Sequence, residues 1–209
     1  MRSPTHAILS LKLAVLGTLA LALSACGINS VPTKEEAAKA AWANVESAYQ
    51  RRADLVPNLV SSVRAAAATE QDTLTQVIEA RAQATSTQIN ADDLSDPQAL
   101  NNYAQAQNNL GSALSRLMVV VERYPELQSQ QRFADLMVSL ESTENQINVA
   151  RDRYNEAVRD YNTTIRTFPD TIGANIIHGA EPMEPFNANP DAQNAPTVDF
   201  GDIGTDANN

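Results

Sequence analysis

The sequence predicts an all-α protein, an elongated antiparallel up-down helical bundle of three to four long helices. Apolar side chains recur at alternating steps of three and four through most of residues 33–168, which is the spacing of one helix face. Glycine is nearly absent from this stretch, where Gly111 is the only one. No comparable run alternates apolar and polar residues, so strands are not expected.

Prolines and capping residues divide this stretch into helices. Thr33 and Glu36 have the spacing of a capping box, and Asp96 precedes a proline as an N-cap would. The residue before a proline is biased away from helical backbone, which marks two further boundaries. The predicted helical segments are Thr33–Thr87, Pro97–Tyr124 and Glu126–Phe168.

Pro57 lies inside the first segment. A proline in a helix removes one backbone hydrogen bond and clashes with the preceding turn, so we expect the first helix to be kinked or split near Pro57. At ~1.5 Å per residue, the last segment would be roughly 65 Å long. The predicted bundle of residues 33–168 is therefore rod-like.

The chain is acidic, with a net charge of −10 from 15 basic and 25 acidic side chains. The first 25 residues hold two of the basic side chains and no acidic one, so their removal leaves 13 against 25, or −12. Nucleic-acid binding depends largely on clustered Lys and Arg that neutralise phosphates. This balance excludes nucleic acid as an expected partner, and it also argues against a polybasic membrane patch.

The amino terminus has the composition of a signal peptide, residues 1–25. An uncharged apolar run at 13–23 follows two basic residues, and Leu23-Ser24-Ala25-Cys26 resembles the box at which bacterial lipoproteins are cleaved and lipidated. We therefore expect a palmitate-bearing Cys26 to hold the protein to a membrane outside the cytoplasm, with residues 26–32 as a tether. The alternative is an uncleaved anchor, although the run is shorter than the ~20 residues of a spanning helix. Gly27 favours the outer membrane, facing the periplasm, in a diderm host.

Residues 169–209 differ in composition from the rest of the chain. They contain five prolines, four glycines and no Lys or Arg, which predicts an extended, partly disordered acidic tail. Two apolar islands interrupt it, Met183–Phe186 and Val198–Phe200. Composition leaves open whether these islands dock on the bundle or the tail stays free.

Six polar side chains occupy positions on the apolar seam, where they form a candidate buried polar set: Arg52, Glu70, Arg81, Gln107, Glu144 and Arg151. Unpaired buried charges are costly, so interior members should pair, for example Arg151 with Glu144 or Glu70. Such pairs commonly fix helix register, and long side chains also extend from seam edges into solvent. The other possibility is a site for a ligand or a partner.

The residues of known catalytic and metal sites are missing from the predicted bundle. The histidines are His6 and His178, and Cys26 is the only cysteine, so all three lie outside residues 33–168. Zinc, di-metal carboxylate and haem sites need such ligands, and a catalytic triad needs a histidine. We expect no enzyme activity, no metal and no cofactor.

Two functions remain. The first is a non-enzymatic interaction or scaffold module of the cell envelope, with an envelope protein as its partner. The alternative is a bundle that binds a small ligand or lipid between helices near Pro57, in a cavity lined by Trp42, Tyr49 or Tyr103.

Several segments together resemble the LemA family. They occur in the family's order, from Arg51–Val60 preceded by Ala41-Trp42, to Val121–Leu127, Thr143–Ile147, Ala150–Asn155 and Val198–Phe200. The resemblance implies a membrane-attached antiparallel bundle that faces away from the cytoplasm, with no established catalytic residue to carry over. Many relatives begin with an uncleaved membrane helix, which a lipidated Cys26 would replace here.

Overall fold

The computed structural model describes residues 29–187, and these contain helices and no strand. The all-α prediction is confirmed. The α-helices are α1 (Ser30–Ala66), α2 (Gln71–Ser86), α3 (Pro97–Glu122), α4 (Pro125–Gln128), α5 (Gln131–Arg166) and α6 (Asp170–Gly173). A 3-10 turn covers Ala91–Asp93, and a π-helical turn, Ala174–His178, continues from α6.

The long helices run up, down, up and down. Lys34 near the start of α1 pairs with Asp160 near the end of α5 at 2.9 Å, so these two helices are antiparallel. Arg123, just after α3, reaches Glu70, just before α2, at 3.1 Å, so α3 returns alongside α2. With 37 and 36 residues, α1 and α5 are each ~55 Å long. The predicted elongated bundle is confirmed.

Helix α1 continues through Pro57, so of the kink or split expected there the split does not occur. The missing N–H of Pro57 leaves the carbonyl of Ala53 without its helical donor. The Nε of Arg81 on α2 donates to that oxygen at 2.8 Å and takes the place of the lost bond. The first predicted segment divides instead at residues 67–70, between α1 and α2.

Replacing Arg81 by Met should lower the free energy of unfolding by about 1–2 kcal/mol, because a charged donor to a partly buried carbonyl is lost. In a Pro57→Ala background the backbone N–H returns, and the same substitution should cost clearly less. Urea denaturation of the two single variants and the double variant measures this coupling. An equal cost of Arg81→Met in both backgrounds would contradict the role given to Arg81.

Two predicted helix starts have different outcomes. Asp96 caps α3 as predicted, since its Oδ1 accepts from the Gln98 N–H at 2.8 Å. The capping box at Thr33 is wrong, because α1 already begins at Ser30 and the Thr33 hydroxyl donates to the Asn29 carbonyl at 2.6 Å. Pro32 fits in that first turn, where a backbone N–H has no helical acceptor. The helix thus begins inside the predicted tether of residues 26–32.

The core consists of two apolar clusters stacked along the bundle axis. The first core surrounds the fully buried Trp42 and Tyr154, and the second surrounds Leu59, Leu110 and Leu117. Burying a side chain of this size stabilises the fold by roughly 1.5–3 kcal/mol. Arg52 and Gln107 are buried polar residues at the level where one core gives way to the other.

Candidate functional site

A polar layer built on Arg52 separates the two cores. The Arg52 Nη1 donates to Glu144 Oε1 on α5 at 3.1 Å. Its Nη2 donates to both the backbone and side-chain oxygens of Gln107 on α3, at 2.9 and 3.1 Å. With only 5% of Arg52 exposed, these contacts compensate for much of the cost of burying its charge.

Further contacts connect the layer to the fourth long helix. The Gln107 Nε2 donates to the Ala84 carbonyl on α2 at 3.1 Å. The Arg52 guanidinium also lies over the Tyr49 ring, 4.9 Å from its centroid. One guanidinium and one amide therefore link α1, α2, α3 and α5, and these contacts support a role in fixing helix register.

The other predicted polar residues lie apart from this layer. Glu70 pairs with Arg123, and Arg81 is bound to the Ala53 carbonyl. Within the described part of the chain Arg151 pairs with neither acid; its guanidinium lies 5.5 Å from the centre of the Phe186 ring. The suggested partners of Arg151 were wrong because Glu144 is taken by Arg52 and Glu70 by Arg123.

The first apolar island of the predicted tail docks on the bundle. Met183 and Phe186 are 6% and 1% exposed and belong to the first core. The Phe186 ring meets Trp42, Tyr103 and Tyr49 edge-on, with centroids 5.4, 6.0 and 6.1 Å apart. Residues 170–178, expected to be extended, are helical. The second island, Val198–Phe200, lies outside the described residues.

The docked segment, residues 181–187, is the C-terminal strap. The Asn155 side chain on α5 donates to the Phe186 carbonyl at 3.2 Å and accepts from the Phe186 N–H at 2.7 Å. Asn162 makes the same pair of bonds with Met183, at 2.8 and 2.9 Å. Each side-chain amide thus serves the strap backbone as a neighbouring strand would.

A tyrosine precedes each of these asparagines. The Tyr154 hydroxyl donates to the Glu184 carbonyl at 2.9 Å, and the Tyr161 hydroxyl donates to the Glu181 carbonyl at 3.1 Å. Burial raises the pKa of both phenols, so they remain protonated donors. The sequence contains a signal for this contact, two Tyr-Asn pairs seven residues apart, or one heptad, but the apolar spacing used to predict the helices does not reveal it.

Asn155→Ala should speed hydrogen exchange at the Phe186 amide by tenfold or more while leaving the Met183 amide much less affected. The amide would lose its Oδ1 acceptor, and a net hydrogen bond is worth about 1 kcal/mol or more when the donor is partly buried. Asn162→Ala should produce the reverse pattern. Exchange measured by NMR on both variants tests the assignment, and unchanged protection at both amides would contradict it.

Of the depressions on the surface of the described residues, two bear on the predicted functions. A cleft of about 300 Å³ between α1, α3 and residues 84–90 has Glu46, Tyr49, Tyr103 and Gln107 in its wall, but Trp42 is not there. A broader groove of about 560 Å³ between α1 and α5 is lined by Arg51, Val138, Asn145, Val149 and Arg153, among others. The sequence predicted the tyrosines of the cleft but not the groove.

The described residues form neither a metal cluster nor a membrane span. Across residues 29–187, no three His, Cys, Asp or Glu side chains come together as a metal site requires. No helix in that range combines the length and apolar character needed to cross a bilayer. Cys26, the predicted lipid site, and the signal-peptide region lie outside the described residues.

Fold and contacts define a class: an all-α rod with a buried arginine layer and a C-terminal strap bound along α5. The family model of LemA matches residues 41–200, which is most of the chain. The chain belongs to the LemA family, as its motifs predicted. Membership in this family supports the expectation of a membrane-associated envelope protein.

Similar proteins come from magnetic bacteria. Magnetosome protein MamQ 1 and magnetosome protein MamQ 2 of Paramagnetospirillum magneticum are each 29% identical over 209 aligned residues, covering 90% of this chain and 75% of theirs. Magnetosome protein MamQ of Magnetospirillum gryphiswaldense is 35% identical over 85 residues, 41% of this chain and 31% of its own.

Proposed function

We propose that this chain is a lipid-anchored cell-envelope protein that acts as a non-enzymatic interaction module. The observation that carries this proposal is the position of Cys26, directly behind small residues and an apolar run and four residues before α1 begins at Ser30. A thioether-linked lipid there would hold the bundle at a membrane surface without a spanning helix. Gly27 supports placement in the outer membrane, facing the periplasm, of a diderm host.

Loss of palmitate labelling in Cys26→Ser tests the anchor. No other residue can carry a thioether-linked lipid, because Cys26 is the only cysteine in the chain. Ser24→Ala is the matched control, since it keeps a small residue before the modification site and should be labelled normally. Continued labelling of Cys26→Ser would refute the lipid assignment.

The groove between α1 and α5 is the surface we assign to a protein partner. Val138 and Val149 on α5 are 66% and 49% exposed in it, and Arg51, Glu141 and Arg153 lie at its edges. Exposed apolar side chains rimmed by charges and amides are typical of protein interfaces. A partner that covers this face would need no change in the bundle core.

Photo-crosslinking in intact cells tests this surface. A photoreactive residue in place of Val149 should give one reproducible protein adduct, whereas the same residue in place of Val119 should not. Val119 is a fair control because it is 61% exposed on α3 and does not line the groove. Equal adducts at both positions, or none at Val149, would contradict a partner in the groove.

A second candidate function is small-ligand binding, favoured by the cleft beside Tyr49 and Tyr103. Burial raises the pKa of the Glu46 carboxyl in its wall, and Glu46 forms no ion pair with any described residue. A carboxylate between aromatic rings suits a small cation. Native mass spectrometry of chain purified from membranes should then show a bound mass that is lost in Gln88→Trp, which narrows the cleft; an unchanged bare mass would exclude this function.

A further inference from the structure

Exposed apolar side chains are concentrated at one end of the bundle. Eight large hydrophobic residues are exposed in the described range, and four of them fall within ten positions of each other. We call these four the apolar end patch: Phe168, Ile172, Ile176 and Ile177, at 74, 50, 79 and 57% exposure. Exposed apolar side chains concentrated in one place mark a surface that contacts another protein or a membrane.

Two of the four residues share one side of a helical segment. Ile172 and Ile176 are four positions apart in the segment made by α6 and the π-helical turn, and Phe168 lies in the turn just before it. The opposite side of this segment is used for packing, since Gly173 and Ala174 are buried. The segment is therefore amphipathic. One side packs on the bundle, and the isoleucines on the other side are exposed.

The patch lies at the end of the bundle where the chain enters from its amino terminus. A hydrogen bond from the Ser30 hydroxyl to Asp170 joins the start of α1 to the start of α6. Cys26 precedes Ser30 by four residues, and a chain of four residues spans at most about 14 Å at ~3.3–3.6 Å per residue. A lipid on Cys26 would hold this end against the bilayer.

We propose that the apolar end patch inserts into the bilayer interface as a second membrane contact, which holds the tethered rod end-on to the membrane. In the cell this contact rests on the proposed lipid anchor. Four side chains bind a bilayer only weakly by themselves, but a tether keeps them at high local concentration. Since the chain is acidic, a lipid surface without net charge suits it better than an anionic one.

The end-on position has a geometric consequence for the groove. Val149 and Val138 precede Phe168 by 19 and 30 residues along α5. At ~1.5 Å per residue they would stand roughly 30 and 45 Å above the patch. The proposed partner surface would then be presented away from the lipid headgroups.

Lipids brominated in their acyl chains test the insertion, because they quench tryptophan only at close range. The chain beginning at Cys26 is coupled through its thiol to a maleimide lipid in phosphatidylcholine–phosphatidylethanolamine vesicles, so the result does not depend on lipidation in the cell. Ile176→Trp is compared with Val138→Trp, whose site is 66% exposed on α5. Trp42 is 1% exposed and provides a constant background in both.

The expected result is blue-shifted emission and at least twofold quenching of the added tryptophan for Ile176→Trp, with little change for Val138→Trp. Red emission without quenching at position 176 would show a patch in water and overturn the proposal. Blue-shifted emission without quenching would show that another part of the chain or a second copy covers the patch, which overturns it as well. Equal quenching at both positions would mean a rod lying flat, and would overturn the end-on placement.

Discussion

Arg52→Met should lower the free energy of unfolding by about 1–3 kcal/mol, because it removes the charged donor of a buried network and leaves the oxygens of Gln107 without it. Gln107 would lose the donor to its side-chain oxygen while still buried at 4% exposure. Glu144 would lose its ion pair. Chemical denaturation followed by circular dichroism measures the change.

Glu144→Gln is the matched comparison for the same layer. The side-chain oxygen of Gln can still accept from the Arg52 Nη1, and water screens the ion pair at the 44% exposed Glu144 side chain. We therefore expect a loss of no more than about 1 kcal/mol. Arg52→Lys should fall between the two variants, because an ammonium cannot donate in the planar fork that reaches both α3 and α5. If Arg52→Met costs no more than Glu144→Gln, the layer does not depend on the guanidinium.

Phe186→Ala should destabilise the protein by about 3–5 kcal/mol, the usual range for emptying a buried aromatic site. The ring is 1% exposed and contacts three other aromatic rings in the first core. Its loss should also release the strap, so residues 181–187 should become sensitive to protease before the helices unfold. Thermal unfolding and limited proteolysis measure the two effects.

Phe168→Ala controls for removing an aromatic ring as such. Phe168 is 74% exposed, so its removal in detergent-free solution should change the free energy of unfolding by no more than about 0.5 kcal/mol. Protease sensitivity of the strap should be unchanged in this variant. A loss from Phe186→Ala as small as that from Phe168→Ala would show that the strap does not contribute to the core.

The helices were predictable because their seam is nearly continuous. Apolar residues at this spacing of three and four, such as Val45, Leu117 and Ile147, are buried, and the prolines after Tyr124 and Phe168 follow closely on the ends of α3 and α5. The break in the first segment was not predictable from local rules. Pro57 has the stronger breaking tendency, but Arg81 from the next helix supplies the missing donor, which is a tertiary contact.

For the polar residues, burial was predictable from the sequence but the hydrogen-bond partners were not. The periodicity placed Arg52 and Gln107 on the seam, and both are buried. The periodicity could not assign partners, because it allows Glu144 to pair with more than one arginine on the seam. The packing of the helices shows that Glu144 pairs with Arg52. Cys26 was predicted from a local motif that needs no fold at all.

The strap was only half predictable. Met183 and Phe186 were recognisable as an apolar island, but a composition rich in proline and lacking basic residues is equally compatible with a free chain. The deciding contacts come from Asn155 and Asn162 on a distant helix. Side-chain amides that bind backbone have no periodic signature unless they repeat, as the two Tyr-Asn pairs do here.

Because the strap returns beside α5 to the first core, the polypeptide enters and leaves the described bundle through the same half. Asn29 and Asn187 both adjoin that half, whereas the half built on Leu59 and Leu117 contains only internal connections. A short reporter inserted in the exposed turn at Ser129-Gln130 would therefore sit at the opposite pole from both termini of the bundle. A probe added at that turn would lie far from both ends of the described bundle.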